Sequence, residues 1–168
     1  WLTAHDEHGE PLPEEEILFD HTMLLVGGSE TTRNVMSSAL EAFSRHPEQW
    51  EALKADPDGL METAVEEAVR WSTPFISMCR TAMCDAQVAG ETIREGQMVK
   101  LLYPPANRDP RVFDRPDEFD IRRPLSPAHL AFGLGTHLCL GINLARLEIR
   151  VMLEELMRTL PDIRIDPD

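Results

Sequence analysis

Apolar residues recur at helical spacing in four stretches of the chain, and prolines mark several of their boundaries. Pro13 fits a first helical position, and the three glutamates after it suit the positive end of a helix dipole. Pro47 ends this first helix and opens the second, while Asp58 can cap the third. The predicted helices cover residues 13–46, 47–55, 59–71 and 140–160.

The spacing also predicts which faces of the first and last helices point inward. Residues 23–28 are apolar on all sides, so the middle of the first helix is expected to be buried. The expected inner stripe of the first helix comprises Ile17, His21, Leu24, Gly28, Thr31, Val35 and Ala39, and that of the last comprises Ile142, Ala145, Ile149, Met152, Leu156 and Leu160.

Short strands are predicted over residues 76–82 and 98–103, with residues 87–93 between them and turns at Gly90 and Gly96. The sequence therefore predicts a mainly α protein with a small β-sheet, an α+β fold. Its 168 residues are the length of a single domain, over residues 1–168.

Residues 104–127 contain six prolines and many charges, which is typical of a long ordered loop. Long loops inside a compact domain usually have a functional role.

The charge balance narrows the possible partners. Asp and Glu number 30 against 16 Lys and Arg, a net charge of −14, so binding to nucleic acid or to an anionic membrane is not expected. No apolar run approaches the roughly 20 residues of a membrane span. Three cysteines, an odd number, indicate a reducing compartment, and we expect a cytoplasmic protein. The chain starts at Trp1 and stops within an alternating apolar pattern, so both ends are interpreted as cuts.

The segment FGLGTHLCLG, residues 132–141, surrounds Cys139 with three glycines just before a helix. Glycines allow close backbone approach to a partner, and a helix N-terminus favours the thiolate that ligates a metal. This pattern indicates an anchored thiolate facing a flat, bulky partner. A buried cysteine in a turn remains an alternative; a zinc site is a weaker one, because Cys79 and Cys84 have the wrong spacing.

Two further motifs lie on predicted helices. Gly27 and Gly28 each cost about 1 kcal/mol relative to Ala in a helix interior, which indicates a flat ligand, a local opening of the helix, or close helix packing. Glu67 and Arg70 lie three residues apart and can pair, although a surface ion pair, or pairing of Arg70 with Glu66, is equally compatible with the spacing.

Residues 132–141 resemble the haem-ligand signature of the cytochrome P450 superfamily in its soluble bacterial form. The resemblance implies haem b, iron protoporphyrin IX, with Cys139 as the axial thiolate and metal ligand. It also implies that His137 and Arg80 contact the haem propionates. The remaining motif positions taken as cofactor-binding are Phe132, Gly133 and Gly141.

The other motifs follow in the order of the same family. Gly28-x-Glu30-Thr31 resembles its oxygen-activation motif, with Glu30 and Thr31 as the acid–alcohol pair that relays protons. Glu67 and Arg70 resemble its buried structural pair.

Departures from the family pattern are Gly27 and Ser29 in the first helix and Glu118 in the loop, where many members have Arg. Arg122 or Arg123 could supply the charge that Glu118 does not.

The resemblance covers roughly residues 9–165 and implies a partial P450 fold that lacks the family's N-terminal part and C-terminal hairpin. The implied activity inserts one atom of O₂ into a C–H bond of an apolar substrate, with electrons from NAD(P)H through a reductase and a ferredoxin. Residues 78–81 and 101–104 are similar to hydroxylases of steroid side chains and terpenoids. Residues 73–77 are candidates to line the substrate pocket.

Two alternatives stay open: a catalytically inactive haem-binding fragment, and a haem sensor or carrier without turnover. Arg146 and Arg150, at helical spacing after the cysteine loop, suggest either a basic docking spot for an acidic ferredoxin or an ordinary solvated helix face.

Overall fold

The computed structural model describes residues 3–162, and helices dominate this part of the chain. The mainly α fold with small sheets is confirmed, and all four long predicted helices are present. Their bounds, and those of one short helix, are α1 Glu14–Arg45, α2 Pro47–Ala55, α3 Pro57–Ser72, α4 Tyr103–Ala106 and α5 Ile142–Thr159.

Proline chemistry sets most of these boundaries. Pro13 immediately precedes α1, and His46 leaves the helical region with φ −125° because the following Pro47 disfavours it there. The cap predicted at Asp58 is wrong. Pro57 takes the first position of α3, so the cap is Asp56, whose side chain accepts a 3.0 Å hydrogen bond from the Gly59 N–H.

The strands form two separate antiparallel pairs. β1 (Ser77–Thr81) pairs with β4 (Met98–Leu102), and β2 (Ala86–Val88) pairs with β3 (Glu91–Ile93). The second pair turns through Ala89 and Gly90, which have φ of 51° and 89°. Two consecutive left-handed residues make the tight turn that matches strand twist.

The core lies where α1, α2, α3 and α5 meet the loop after α4. Aromatic rings at its centre pack edge to face: the Phe43 ring lies 5.1 Å from Trp50 and 5.2 Å from Phe119. In α5, Ile149 and Leu153 are fully buried, whereas Leu160, predicted to point inward, is exposed.

The middle of α1 differs from the sequence prediction. Met23, Leu24, Leu25 and Val26 are between 46% and 71% exposed, and burial on the helix begins only near Thr32. The apolar pattern indicates a surface suited to burial, but nothing in the described chain packs against it. None of the helices between residues 3 and 162 combines the length and apolar character needed to cross a bilayer.

Candidate functional site

A cavity of about 350 Å³ separates the middle of α1 from the loop that precedes α5. Its walls are mainly apolar and come from both sequence motifs, the glycine-rich part of α1 and the cysteine loop. The predicted site residues that line it are Thr31, Phe132, Gly133, His137, Cys139 and Gly141.

The cysteine loop is a closed turn built on two left-handed glycines. Gly133 and Gly135 have φ of 74° and 72°, and a Cβ at Gly133 would lie 3.3 Å from the His137 carbonyl oxygen. The Cys139 N–H donates to the Phe132 carbonyl at 2.9 Å and closes the turn. Cys139 is exposed and not in a disulfide, and it precedes α5 by three residues, where the helix dipole favours an anion.

On the opposite wall, glycines leave room beside α1. Gly27 and Gly28 line the cavity, and a Cβ built on either would meet no atom within 4 Å. The Thr31 hydroxyl donates to the Gly27 carbonyl at 2.6 Å, so it lies against the helix backbone beside this space.

Of the predicted catalytic and haem-binding residues, two do not line the cavity. Glu30 pairs with Arg33 at 2.8 Å, and its side chain is 64% exposed. Arg80 lies on β1 and donates to the carbonyl of its neighbour Cys79 at 2.9 Å. The structure thus brings Thr31 together with the cysteine loop, and leaves Glu30 and Arg80 outside that wall.

This arrangement fits the expected haem. An exposed thiol stands in a cavity whose opposite wall contains two adjacent glycines, so a flat macrocycle can approach the α1 backbone closely at Gly27 and Gly28. Cys139 would hold the iron, and His137 also lines the space. Among residues 3–162 no group of three or more His, Cys, Asp or Glu side chains is placed to hold a metal ion, so the zinc alternative has no ligand set there.

Glu67 and Arg70 form an ion pair on the buried face of α3. Arg70 Nε and Nη2 donate to Glu67 Oε2 and Oε1 at 2.7 and 2.8 Å, and the two side chains are 2% and 0% exposed. The remaining Arg70 donors bind loop carbonyls of Asn107, Pro116 and Glu118. Pairing of Arg70 with Glu66 does not occur in this structure.

Arg123, and not Arg122, completes the network. Its Nε donates to Glu67 Oε2 at 3.0 Å, and its other nitrogens bind carbonyls of the same loop. The Glu118 side chain pairs instead with Arg115 at 2.7 Å. Asn107 is fully buried and links Thr73 at the end of α3 to the Leu130 N–H just before the cysteine loop.

Arg146 and Arg150, the two α5 arginines considered as a docking spot, are both paired with carboxylates. Arg146 donates to both oxygens of Glu66 at 2.6 and 2.9 Å, and Arg150 pairs with Glu154 at 2.7 Å. Burial raises the pKa of Glu66, but contacts with His129 and Arg146 outweigh it and lower that pKa to about 2. Each arginine is therefore matched by a carboxylate.

Sequence reasoning missed several residues at the cavity. Glu148 on α5 lines it and belongs to no motif. Tyr103 on α4 also lines it; it lies within residues 101–104, whose similarity to hydroxylases does not indicate a position at the cavity. Of residues 73–77, Pro74 and Phe75 line it, whereas Thr73, Ile76 and Ser77 do not. Helical spacing from Ala145 could have indicated Glu148.

Comparison with known proteins supports the motif-based resemblance. Residues 1–161 match the family model for cytochrome P450. A steroid C26-monooxygenase of Mycolicibacterium smegmatis is 45% identical over 168 residues, which cover 99% of this chain and 41% of that protein. A methyl-branched lipid omega-hydroxylase of Mycobacterium bovis is 47% identical over 163 residues, covering 96% and 38%. The chain thus spans about two fifths of the length of these relatives.

Solved structures agree with this result. The Mycobacterium marinum cytochrome P450 CYP268A2 in complex with pseudoionone superposes with a TM-score of 0.93 at 39% identity, covering 97% of this chain and 39% of that one. CYP109E1 from Bacillus megaterium in complex with corticosterone gives 0.87 at 34% identity, covering 99% and 45%. Because the family model matches almost the whole chain and the fold agrees with solved members, this chain belongs to the cytochrome P450 family.

Proposed function

We propose that this chain is the haem-binding part of a monooxygenase that inserts one atom of O₂ into a C–H bond of an apolar substrate. The observation that carries the proposal is a single cavity shared by the Cys139 thiol and the glycine–threonine segment of α1. A thiolate-bound haem b supplies the oxygen-activating redox chemistry when bound. The protein supplies the ligand, a mainly apolar wall and the proton path.

Thr31 is the residue that handles a proton at the cavity. Its hydroxyl donates to the Gly27 carbonyl, which leaves its oxygen free to accept a hydrogen bond from a water or a bound group in the cavity. Passing its own proton on requires release of the bond to Gly27. We propose that Glu30, which is exposed and adjacent in sequence to Thr31 but does not line the cavity, resupplies that proton from solvent through water.

The cavity favours a lipid-like substrate. Leu24, Phe75 and Met78 contribute apolar surface to its wall, and apolar pockets with few polar groups suit hydrocarbon ligands. Two relatives have names that refer to such molecules, a steroid C26-monooxygenase and a methyl-branched lipid omega-hydroxylase. We therefore propose a steroid side chain, a terpenoid or a branched lipid as the substrate class.

Electrons are proposed to come from NAD(P)H through a reductase and a ferredoxin, in the cytoplasm. This part of the proposal does not depend on Arg146 and Arg150, since both are paired with carboxylates.

A second candidate is haem binding without turnover. Met23 and Leu24 line the cavity and are 49% and 46% exposed, so water reaches this wall in the chain as it stands. Water in the site wastes activated oxygen, which would leave a haem-binding protein with little coupled oxidation.

The absorption spectrum of the reduced, CO-treated protein tests the proposal. The purified chain is loaded with haem, reduced, exposed to CO and scanned, with Cys139→Ser as the variant and Cys79→Ser as the matched control. A strongly red-shifted band in the parent and the control, absent from Cys139→Ser, supports thiolate ligation by Cys139. The same band in all three proteins would contradict it.

Turnover separates the two candidates. With an added ferredoxin, reductase and NADPH, a branched lipid should be hydroxylated by the parent, and Thr31→Ala should shift the products from hydroxylated lipid towards hydrogen peroxide. A red-shifted CO band with no product in the parent supports the non-turnover candidate instead.

A further inference from the structure

We infer that Glu66 and Arg146 act as positioning residues, which hold Phe132 and through it the loop that carries Cys139. The inference rests on the proposed function only in its final step, where the loop presents its thiolate to haem. It assigns a role to an ion pair that joins α3 to α5 and that no sequence motif marks.

The ion pair fixes the guanidinium in one plane. Arg146 Nε and Nη2 donate to the two oxygens of Glu66 at 2.6 and 2.9 Å, which is a bidentate geometry. The Glu66 side chain is 20% exposed, so this pair is partly shielded from water. The Arg146 guanidinium carbon lies 5.2 Å from the centre of the Phe132 ring, within the range of a cation–π contact.

His129 also contacts the Phe132 ring. Its ring centre lies 5.6 Å from that of Phe132, and its side chain is 6% exposed. His129 Nδ1 accepts from the Ala131 N–H at 3.2 Å, and Nε2 lies 3.2 Å from Glu66 Oε2, although too obliquely for a regular hydrogen bond. Glu66 thus contacts both side chains that contact Phe132.

Phe132 passes this restraint to the cysteine. Its carbonyl accepts the Cys139 N–H at 2.9 Å, and the residue lines the same cavity as the thiol. A continuous series of contacts therefore runs from Glu66 through Arg146 and Phe132 to the Cys139 backbone. Loss of the ion pair should loosen the closed turn without removing any atom of it.

Arg150 provides a matched control. It lies on α5 one turn after Arg146, and its carboxylate partner Glu154 is on the same helix, at 2.7 Å. Arg150→Ala removes the same side chain and charge as Arg146→Ala but leaves the Phe132 contact intact.

The first measurement needs no haem. Hydrogen exchange at the Cys139 amide reports whether its bond to the Phe132 carbonyl persists. Arg146→Ala should speed this exchange at least several-fold, Arg146→Lys should have an intermediate effect, and Arg150→Ala should leave it unchanged. Urea unfolding of each variant identifies any increase that comes from global destabilisation. Equal exchange at Cys139 in Arg146→Ala and Arg150→Ala would overturn the inference.

The second measurement uses the haem-loaded protein. Arg146→Ala should weaken haem affinity by about 10- to 100-fold, the usual effect of losing a residue that orients a metal ligand. It should also convert part of the red-shifted CO band into an unshifted one. Glu66→Gln should act similarly, and Glu66→Gln/Arg146→Ala should be no worse than Arg146→Ala alone, because both changes break one series of contacts. Additive losses in the double variant would overturn the inference.

The two proposals fail in different ways. A parent chain that binds no haem through Cys139 removes the proposed function, while the exchange experiment still tests the positioning role. A parent with the red-shifted band, and an Arg146→Ala variant that matches Arg150→Ala in both measurements, removes the positioning role alone.

Discussion

Glu67 and Glu30 each pair with an arginine three residues further along a helix, yet the surroundings of the two pairs differ completely. The nitrogen–oxygen distances are 2.7 Å for Glu67–Arg70 and 2.8 Å for Glu30–Arg33. The first pair is covered by the loop after α4 and is almost fully buried, whereas the second is about two-thirds exposed. Identical spacing therefore gives the same local contact, and the tertiary cover decides what that contact can do.

The difference in burial suits the two ion pairs to different roles. The buried pair has all its neighbours within the chain, including Arg123 and three loop carbonyls, so it fixes the loop to α3. The side chains of the exposed pair face solvent on α1, and Glu30 is next in sequence to Thr31, which lines the cavity.

The largest expected difference is between removing the arginine of the buried pair and removing the arginine of the exposed pair. Arg70→Ala leaves the Glu67 charge buried, which should lower the free energy of unfolding by about 3–5 kcal/mol. Arg33→Ala breaks an exposed pair and should change it little. Urea unfolding monitored by circular dichroism measures both.

If Arg70→Ala does not fold, Arg123→Ala removes a single partner of Glu67 and should still destabilise more than Arg33→Ala. Equal losses for the buried and exposed arginines would show that burial does not separate the two regions.

A second contrast compares a buried apolar side chain of the core with an exposed one on α1. Leu153 on α5 is fully buried, so Leu153→Ala should cost about 2–5 kcal/mol of unfolding free energy through the cavity it creates. Leu25 on α1 is 71% exposed, and Leu25→Ala should stay within about 0.5 kcal/mol of the parent. A large loss for Leu25→Ala in the same urea titration would mean that the middle of α1 is covered in solution.

A further expected effect is a pH dependence at Glu66. Its pKa falls from 4.5 to about 2 on folding, so its stabilising contribution is complete above pH 4.5 and is lost as the pH falls towards 2. The difference in unfolding free energy between the parent and Glu66→Gln should therefore be greatest near neutral pH and shrink across this acidic range.

Glu41→Gln is the control for that titration, since Glu41 pairs with Arg45 at an exposed position. A difference in unfolding free energy between the parent and Glu66→Gln that stays constant from neutral to acidic pH would contradict the lowered pKa of Glu66.

Local chemistry made the helices predictable. Pro47 and the acidic turn after Pro13 mark boundaries of α1 within one residue, because proline restricts its own φ and that of the residue before it. The predicted cap, Asp58, lies two positions after the actual cap, Asp56, because Pro57 occupies the first position of α3.

Long-range partners were not predictable from spacing. Glu66 and Arg146 are 80 residues apart, so helical spacing suggested only the nearby Arg70 as a partner for Glu66. The choice between Arg122 and Arg123 depends on the path of an irregular loop, which no periodicity describes.

The exposure of the middle of α1 shows a second limit of prediction from sequence. Apolar periodicity at Met23 and Leu24 indicates that a surface is suited to burial, but it does not say which part of a protein covers it. The motif residues Thr31 and Cys139 nevertheless line one cavity, although 108 positions separate them in the sequence (139 − 31).

X-ray absorption at the iron edge of the haem-loaded chain tests most directly whether Cys139 binds the metal. We expect one sulfur neighbour at bonding distance in the parent and in Cys79→Ser, and its loss in Cys139→Ser. Iron without a sulfur neighbour in the parent, or a sulfur retained in Cys139→Ser, would contradict it.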